Sequence, residues 1–381
     1  MSIQPIRYTV IGAGHGGKAM AAHLALMGFE VTLYNRTPEH VAAIKARGGV
    51  TLGSYEAGPH GFGQLACVTS TMEEALQDSG VVMVVVPASA HRDIARAAAP
   101  HLRDGQIVLL NPGRTLGALE FRKVLDDHGC TAEIIIAEAQ SFIYASRSEG
   151  PAQARIFRIK DAVPLAALPA LETGKVLEAI NPAYPQFIDG INVLETSLNN
   201  IGAIFHPAIS ILNAGWIESS GGNFQFYLDG VTPTVARIVE VLDRERVTIA
   251  SALGIRAVTA CEWLRMAYNT KGDNLYEAIH NQPGYRGINA PPTLKHRYLT
   301  EDIPTSLVTF VSLAQRYGVS VRCMESIIRL ACIAHSTDYW HHGRTLDRLG
   351  IEQLSVSELL HYVNEGGIRD TISETSLETR P

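Results

Sequence analysis

The sequence predicts an α/β chain: a doubly wound, mostly parallel sheet in the N-terminal half, followed by an all-helical C-terminal half. Three observations carry this. Residues 7–20 run from a short apolar segment into a helical pattern through glycines spaced G-x-G-x-x-G. Short apolar runs then alternate with helical periodicity as far as about residue 160. Beyond residue 188, strand-like runs nearly vanish and helical periodicity takes over.

Taken in order, Arg7 to Ile11 reads as a buried parallel strand. Gly12 permits the tight turn out of it. Gly14 has no side chain, so a pyrophosphate can approach the backbone, and Gly17 lets the next helix pack closely on the strand. His15 and Gly16 complete the loop and are grouped with these glycines as cofactor-binding. The helix that follows offers N–H groups and a partial positive charge to phosphates. A second strand, Glu30 to Tyr34, completes a Rossmann-type, dinucleotide-binding unit.

Pro38 suits the first turn of a helix over residues 39–47, with Thr37 as its cap. Glycine-rich turns and short strands run on to Thr69. A helix over 71–78 is capped by Ser70 or Thr71. Val81 to Val86 is apolar throughout, the mark of a strand buried on both faces, and it ends at Pro87. A helix over 92–102 and a strand over 106–110 follow, stopped by the turn signal Asn111-Pro112-Gly113. A helix over 116–127, a strand over 134–136 ending near Glu138, and a strand over 153–160 complete the first half. The predicted division lies at residue 187: residues 1–187 form the dinucleotide-binding domain and 188–381 a helical domain for substrate and catalysis. Its helices are predicted over 194–214, 233–252, 256–266, 307–317, 321–335 and 355–363. Thr371 to Pro381 is polar and expected to fray.

Of the 381 residues, 46% are hydrophobic and 18% charged, and the net charge is −6. That is an ordinary globular composition, long enough for two domains. A mildly acidic chain without basic runs argues against nucleic acid or an anionic membrane as partner. Five scattered cysteines without a C-x-x-C pair fit reduced thiols in a cytoplasm. No apolar run reaches transmembrane length, and the first strand begins too early to leave room for a signal peptide. His335, His341 and His342 lie close in sequence but match no zinc spacing, so no metal is expected.

An NAD-preferring unit ends its second strand in Asp or Glu. Here Asn35, Arg36 and Thr37 offer an amide, a guanidinium and a hydroxyl, which favours NADP while leaving NAD open. Further cofactor contacts are expected from Val86 and Pro87, and from Asn111 and Gly113, at strand ends facing the same crevice. In the helical half, hydride transfer to a carbonyl or imine needs a proton donor and a group to hold the substrate's charge. His206 sits in an apolar helical segment; such a histidine is ordinarily a core residue, yet burial and a neighbour can tune it. The stretch Lys295 to Pro304 adds an arginine and two carboxylates, where the plain reading is a helix cap with a surface salt bridge. Together they supply the set that a keto-acid reductase needs.

Several motifs in one order then carry a family resemblance. They are Gly12 to Gly17, Leu109 to Gly113 with Gly117 to Lys123, and Asn200 with His206-Pro207. Gly284 to Ile288, Arg297-Tyr298 with Glu301-Asp302, and Gly343 to Leu346 complete the set. The chain resembles the opine dehydrogenases, the family that includes the octopine and nopaline enzymes. The resemblance implies a helical domain like the C-terminal part of 6-phosphogluconate dehydrogenase. It also implies a reductive condensation, in which an amino acid and a 2-oxo acid form an imine that NAD(P)H reduces. It assigns His206 and Asp302 as the catalytic pair, and Arg297 and Asn200 as substrate-binding. Partners are therefore small molecules, with a second copy of the chain left open. The chain departs from the family pattern at Gly202, where an Asn four residues before the His is usual, and at Asn35, which replaces the acidic residue of NAD-using relatives. A plain 2-oxo acid or ketone reductase, of the type that includes glycerol-3-phosphate and ketopantoate reductases, is the alternative enzyme. A non-catalytic NADP sensor is the alternative outside catalysis.

Overall fold

The computed structural model describes residues 6–55, 58–268 and 270–367; the expected frayed tail, Thr371 to Pro381, lies outside them. An eight-stranded sheet organises the first half. Its strands are β1 (Tyr8–Ile11), β2 (Val31–Tyr34), β5 (Cys67–Thr69), β6 (Val81–Val84), β7 (Ile107–Leu110), β8 (Ile135–Ala139), β11 (Val163–Leu168) and β12 (Phe187–Asp189). They lie in the order β12-β11-β8-β7-β6-β1-β2-β5. Every neighbouring pair is parallel except β8 and β11. The residues of β1, β6 and β7 are buried throughout, because helices cover both faces of a parallel sheet.

A second sheet, in the order β4-β3-β10-β9, is built from β3 (Gly49–Ser54), β4 (Gly61–Gln64), β9 (Tyr144–Gly150) and β10 (Gln153–Ile159). Helix α1 (His15–Leu26) packs against strands of both sheets, which explains its composition. Gly17 to Ala22 are all buried, and a Cβ at Gly63 of β4 would lie 2.6 Å from the Ala22 carbonyl oxygen. The Lys18 ammonium pins the arrangement, donating to Ser148 Oγ at 2.5 Å and to the Gly150 carbonyl at 2.9 Å. Strands β9, β11 and β12 and helix α6 (Thr173–Ile180) lie where no element is expected: β9 is polar, β11 is an apolar run interrupted by Pro164, and β12 and α6 are short.

Other elements differ from expectation at their ends. Helix α2 (Glu39–Arg47) has Pro38, not Thr37, at its N-cap. Helix α3 (Met72–Leu76) has Thr71 at the N-cap without a side-chain cap bond, and Thr69 braces the turn before it. Its hydroxyl accepts from the Thr71 N–H at 3.0 Å and donates to Glu74. Helices α4 (His91–Ala98) and α5 (Gly117–Asp127) lie near their predicted places.

By internal packing the described chain divides at 196/197 rather than 187. Residues up to Thr196 and those from Ser357 onward form one unit, and Ser197–Val356 the other. Side chains explain the shift. Thr196 Oγ1 donates to the buried Glu138 carboxylate at 2.7 Å, and Asn192 Nδ2 donates to Asn364 Oδ1 at 3.0 Å. The second bond brings the last helix back to the sheet unit, where helical periodicity alone places it with the helical half. The single helix expected over 194–214 is three: α7 (Val193–Leu198), α8 (Gly202–Leu212) and α9 (Ala214–Ser220).

The helical unit centres on α10 (Pro233–Ala252), started by Pro233 with the Thr232 hydroxyl accepting from the Val235 N–H. Helices α11 (Ala260–Tyr268) and α12 (Leu275–His280) follow. Then comes the single turn α13 (Arg297–Thr300), and a π-helical segment, Ile303–Leu307, runs into α14 (Val308–Arg316). Helices α15 (Arg322–His335), α16 (Tyr339–His342), α17 (Leu346–Leu349) and α18 (Val356–Glu365) complete the chain. The Arg246 side chain of α10 is wholly buried and fully engaged. It pairs with Asp243 at 2.7 Å and donates to the Leu198 and Val258 carbonyls, tying the start of the unit to its centre.

Candidate active site

The glycine-rich loop lies at the carboxyl end of β1. Gly12 has φ +113°, and a Cβ there would stand 2.4 Å from the Val85 carbonyl oxygen. A Cβ at Gly17 would stand 1.6 Å from the Gly12 carbonyl oxygen, so only glycine lets α1 leave β1 this closely. Gly14, the N-cap of α1, faces open space, with nothing within 4 Å of the position a Cβ would take. A tight turn, an unobstructed backbone and a helix N-terminus make a cradle that fits a dinucleotide pyrophosphate.

The other expected cofactor residues fall around this loop, several of them engaged. Asn35 accepts from the Ala13 N–H at 3.1 Å and donates to the Thr37 carbonyl at 3.2 Å, so its amide braces the loop. Arg36 is exposed and lies 3.4 Å from the Asp93 carboxylate. Thr37 is half-buried. His15 Nδ1 accepts from the Ser148 N–H at 2.9 Å, and Gly16 packs against the ring of Phe142. Val86 abuts Gly12 beyond the end of β6, and Pro87 is exposed. Asn111 is buried and donates to the Leu109 carbonyl, while Gly113 lies against the Glu138 carboxylate.

In the helical unit, His206 of α8 and Asp302, just before the π-helical segment, meet as expected: Nδ1 to Oδ2 is 2.7 Å. Asp302 is buried, and His206 keeps a partly open edge. Four further side chains were not foreseen in these roles. Tyr298 stacks on the imidazole, with ring centroids 4.1 Å apart and 14° between planes. The Tyr227 hydroxyl lies 3.2 Å from His206 Nε2. Tyr285 stacks on Tyr227 at 4.1 Å, and Phe226 leans on Tyr298 at 5.0 Å. Burial holds the Tyr227 hydroxyl well above the ordinary phenol range, so it stays protonated. Since the Asp302 carboxylate accepts from Nδ1–H, Nε2 is the acceptor, and the phenol donates to it. His296, whose Nδ1 accepts from the Tyr298 N–H, is held below the usual histidine range by burial, with Arg297 and His206 adding to the effect.

Asn200 and Arg297 are placed differently from the pair. Asn200 is buried and donates to Ser306 Oγ at 3.1 Å, a second bridge between the start of α8 and the segment after Asp302. Arg297 is exposed at the first position of α13, next to Tyr298. The motif Gly343-Arg344 braces the same segment: the Arg344 N–H donates to the Pro304 carbonyl at 2.8 Å, and a Cβ at Gly343 would collide with Val308. Among the described residues, no cluster of His, Cys, Asp and Glu could hold a metal ion, and no helix is long and apolar enough to cross a membrane.

A dinucleotide cradle in a sheet unit and a His–Asp pair in a helical unit define an NAD(P)-dependent oxidoreductase, here one acting on CH–NH bonds. Residues 7–112 match the NAD-binding domain of 6-phosphogluconate dehydrogenase, and residues 190–335 match the α-helical domain of NAD/NADP octopine/nopaline dehydrogenase. The chain is 38% identical to an opine dehydrogenase of Arthrobacter sp. (strain 1C), over 93% of this chain and 98% of that one. It belongs to the opine dehydrogenase family. Its fold is that of octopine dehydrogenase, solved with NADH and L-arginine: TM-score 0.78 at 21% identity, covering 93% of this chain and 98% of that one. Yersinopine dehydrogenase, solved with NADP+ bound, has a TM-score of 0.72 at 15% identity, covering 93% of this chain and 95% of that one.

Proposed function

We propose that this enzyme condenses an amino acid with a 2-oxo acid and reduces the imine to an N-carboxyalkyl amino acid, with NADP preferred over NAD. The observation that carries the reading is the His206–Asp302 hydrogen bond, which leaves Nε2 as a base under an aromatic roof. Octopine dehydrogenase has been solved with L-arginine and, separately, with pyruvate, an amino acid and a 2-oxo acid.

The cradle of Gly12, Gly14 and Gly17, the N-terminus of α1 and Arg36 would hold the dinucleotide, which supplies hydride to the imine carbon when bound. The substrate amine loses a proton to His206 Nε2 as it attacks the oxo-acid carbonyl, displacing the Tyr227 phenol from that nitrogen. The resulting imidazolium, stabilised by Asp302, returns that proton to the carbonyl oxygen and a carbinolamine forms; Nε2, reprotonated from solvent, then protonates the hydroxyl, so that water leaves and a protonated imine remains. Asp302 keeps the other ring proton on Nδ1 throughout. Arg297 is assigned a substrate carboxylate. Asn200 was expected on substrate; bonded to Ser306, it also steadies the segment that carries Asp302. The absence of a carboxylate at Asn35 and the exposed guanidinium of Arg36 support the NADP preference.

NADPH oxidation, screened with amino acids against pyruvate, 2-oxoglutarate and oxaloacetate, tests the reading. Turnover should require both components. Equal turnover with an oxo acid alone would replace it with a simple oxo-acid reductase.

A further inference from the structure

The motif Gly284 to Ile288 reaches His206 through one intermediary, Tyr227. Gly287 has φ +74°, and the chain turns there to run beside residues 224–226. The Phe226 N–H donates to the Ile288 carbonyl at 2.8 Å and the Ala290 N–H to the Phe224 carbonyl at 2.9 Å. The Gly287 N–H donates to Gln225 Oε1 at 3.0 Å. With the two segments tied, Tyr285 lies flat on Tyr227, 14° between ring planes. Phe205 and Phe226 meet the Tyr227 ring at steep angles, with centroids 6.4 and 5.1 Å away. The ring is held on several sides, and its hydroxyl is aimed at His206 Nε2.

Packing does not call for this hydroxyl. A phenylalanine would fill the same space without a polar atom to take from water. Among the described residues the hydroxyl has one hydrogen-bond partner, Nε2, at 3.2 Å, which is long for such a bond. While Nε2 is an acceptor, the phenol competes with the amine proton for it. Once Nε2 is protonated the imidazolium has no lone pair there, so the phenol must donate elsewhere. Two donors then stand 3.2 Å apart, and one oxygen fits at about 2.7–3.0 Å from both.

We propose that Tyr227 is a catalytic residue whose hydroxyl donates to the oxo-acid carbonyl oxygen as negative charge develops on it, and that Tyr285 is the residue that positions it. The inference rests on the condensation reading above. As the amine attacks, the C–N bond forms, the carbonyl π pair moves onto oxygen, and the amine proton goes to Nε2. The phenol then changes acceptor, from Nε2 to that oxygen, and keeps its own proton. Nε2–H next gives its proton to the same oxygen, which completes the carbinolamine and returns His206 to the neutral form.

The test uses the full chain, saturating NADPH and a productive substrate pair from the screen. Tyr227→Phe keeps the ring and its stack and removes only the donor. It should lower kcat by about 10²–10³, the loss from removing one donor to a developing oxyanion. KM for both substrates and the NADPH dissociation constant should stay within about twofold, because the bond forms only as charge develops. With NADPH deuterated at the transferred position, the variant should show an isotope effect of about one, since the slowed step precedes hydride transfer. Tyr285→Leu should lower kcat by about 2- to 10-fold, the worth of one stacked pair, and Tyr285→Phe should restore it. If Tyr227→Phe does not fold, the two Tyr285 variants carry the test, and equal kcat in both would overturn the inference. A folded Tyr227→Phe enzyme with wild-type kcat would overturn it as well. So would a raised KM at unchanged kcat, or a full isotope effect in the variant. His206→Ala run in parallel separates the two levels: if it is slow while Tyr227→Phe is not, the condensation reading stands and only Tyr227 loses its role. Failure of every substrate pair in the screen would instead defeat the condensation reading itself.

Discussion

The sheet unit makes its dinucleotide cradle from backbone, whereas the helical unit makes its proposed proton-transfer cluster from side chains of three separated stretches. In the first, Gly12, Gly14 and Gly17 matter for what they lack. In the second, His206, Tyr227, Tyr298 and Asp302 matter for what they carry, and none is useful without the others' placement. The difference teaches where each site is vulnerable. A methyl group added at Gly12 or Gly17 collides with backbone, whereas the proposed cluster should be sensitive to a change of chemistry.

The largest effect should therefore come from Gly17→Ala. The new Cβ, 1.6 Å from the Gly12 carbonyl oxygen, has no rotamer to escape into. The loss of stability should exceed the ~1–3 kcal/mol of ordinary overpacking, with dinucleotide binding lost as well. Gly14→Ala, facing open space, should fold normally. Thermal unfolding and NADPH titration of the two variants test the contrast, and equal behaviour would break it.

Next comes the cluster. His206→Ala should lower kcat by about 10²–10⁴ while the protein stays folded and binds NADPH. Asp302→Asn should keep the geometry, lower kcat and alter the pH profile, because the neutral amide no longer stabilises the imidazolium. Steady-state kinetics with circular dichroism check both. A well-folded His206→Ala enzyme with near-normal kcat would refute the assignment and return His206 to the role of a packing residue.

The smallest effect sharpens the cofactor side of the comparison. Arg36 is exposed and already shares its charge with Asp93. Arg36→Ala should lower kcat/KM for NADPH by about tenfold, the lower end for a charged hydrogen bond, and leave NADH nearly unchanged. Equal use of both dinucleotides by the unaltered enzyme would remove the NADP preference at the outset.

Much of the molecule is legible in local signals of the sequence. The β1–α1–β2 start, the apolar strands β6 and β7, and the helix α10 all follow from motifs or periods contained within one element. His206 and Asp302 are legible through family motifs rather than through any period, since 96 residues separate them. Strand β9 is hidden because its polar residues give no apolar alternation, though Lys18 and His15 hold it in place. The helix expected over 194–214 breaks at Asn199-Asn200, before Gly202, and at Asn213, residues that favour caps and turns but that helical periodicity alone passes over.

By itself, then, the sequence determined the dinucleotide loop, the order of α/β and helical halves, and the family, because glycine geometry and hydrophobic periodicity act over a few residues. Only the tertiary structure decided that Tyr227 meets His206 Nε2, that Asn35 braces the glycine loop, that Tyr285 stacks on Tyr227, and that the last helix rejoins the sheet unit. Each of these depends on which remote segments pack together, and packing is a property of the whole chain's burial rather than of any one stretch.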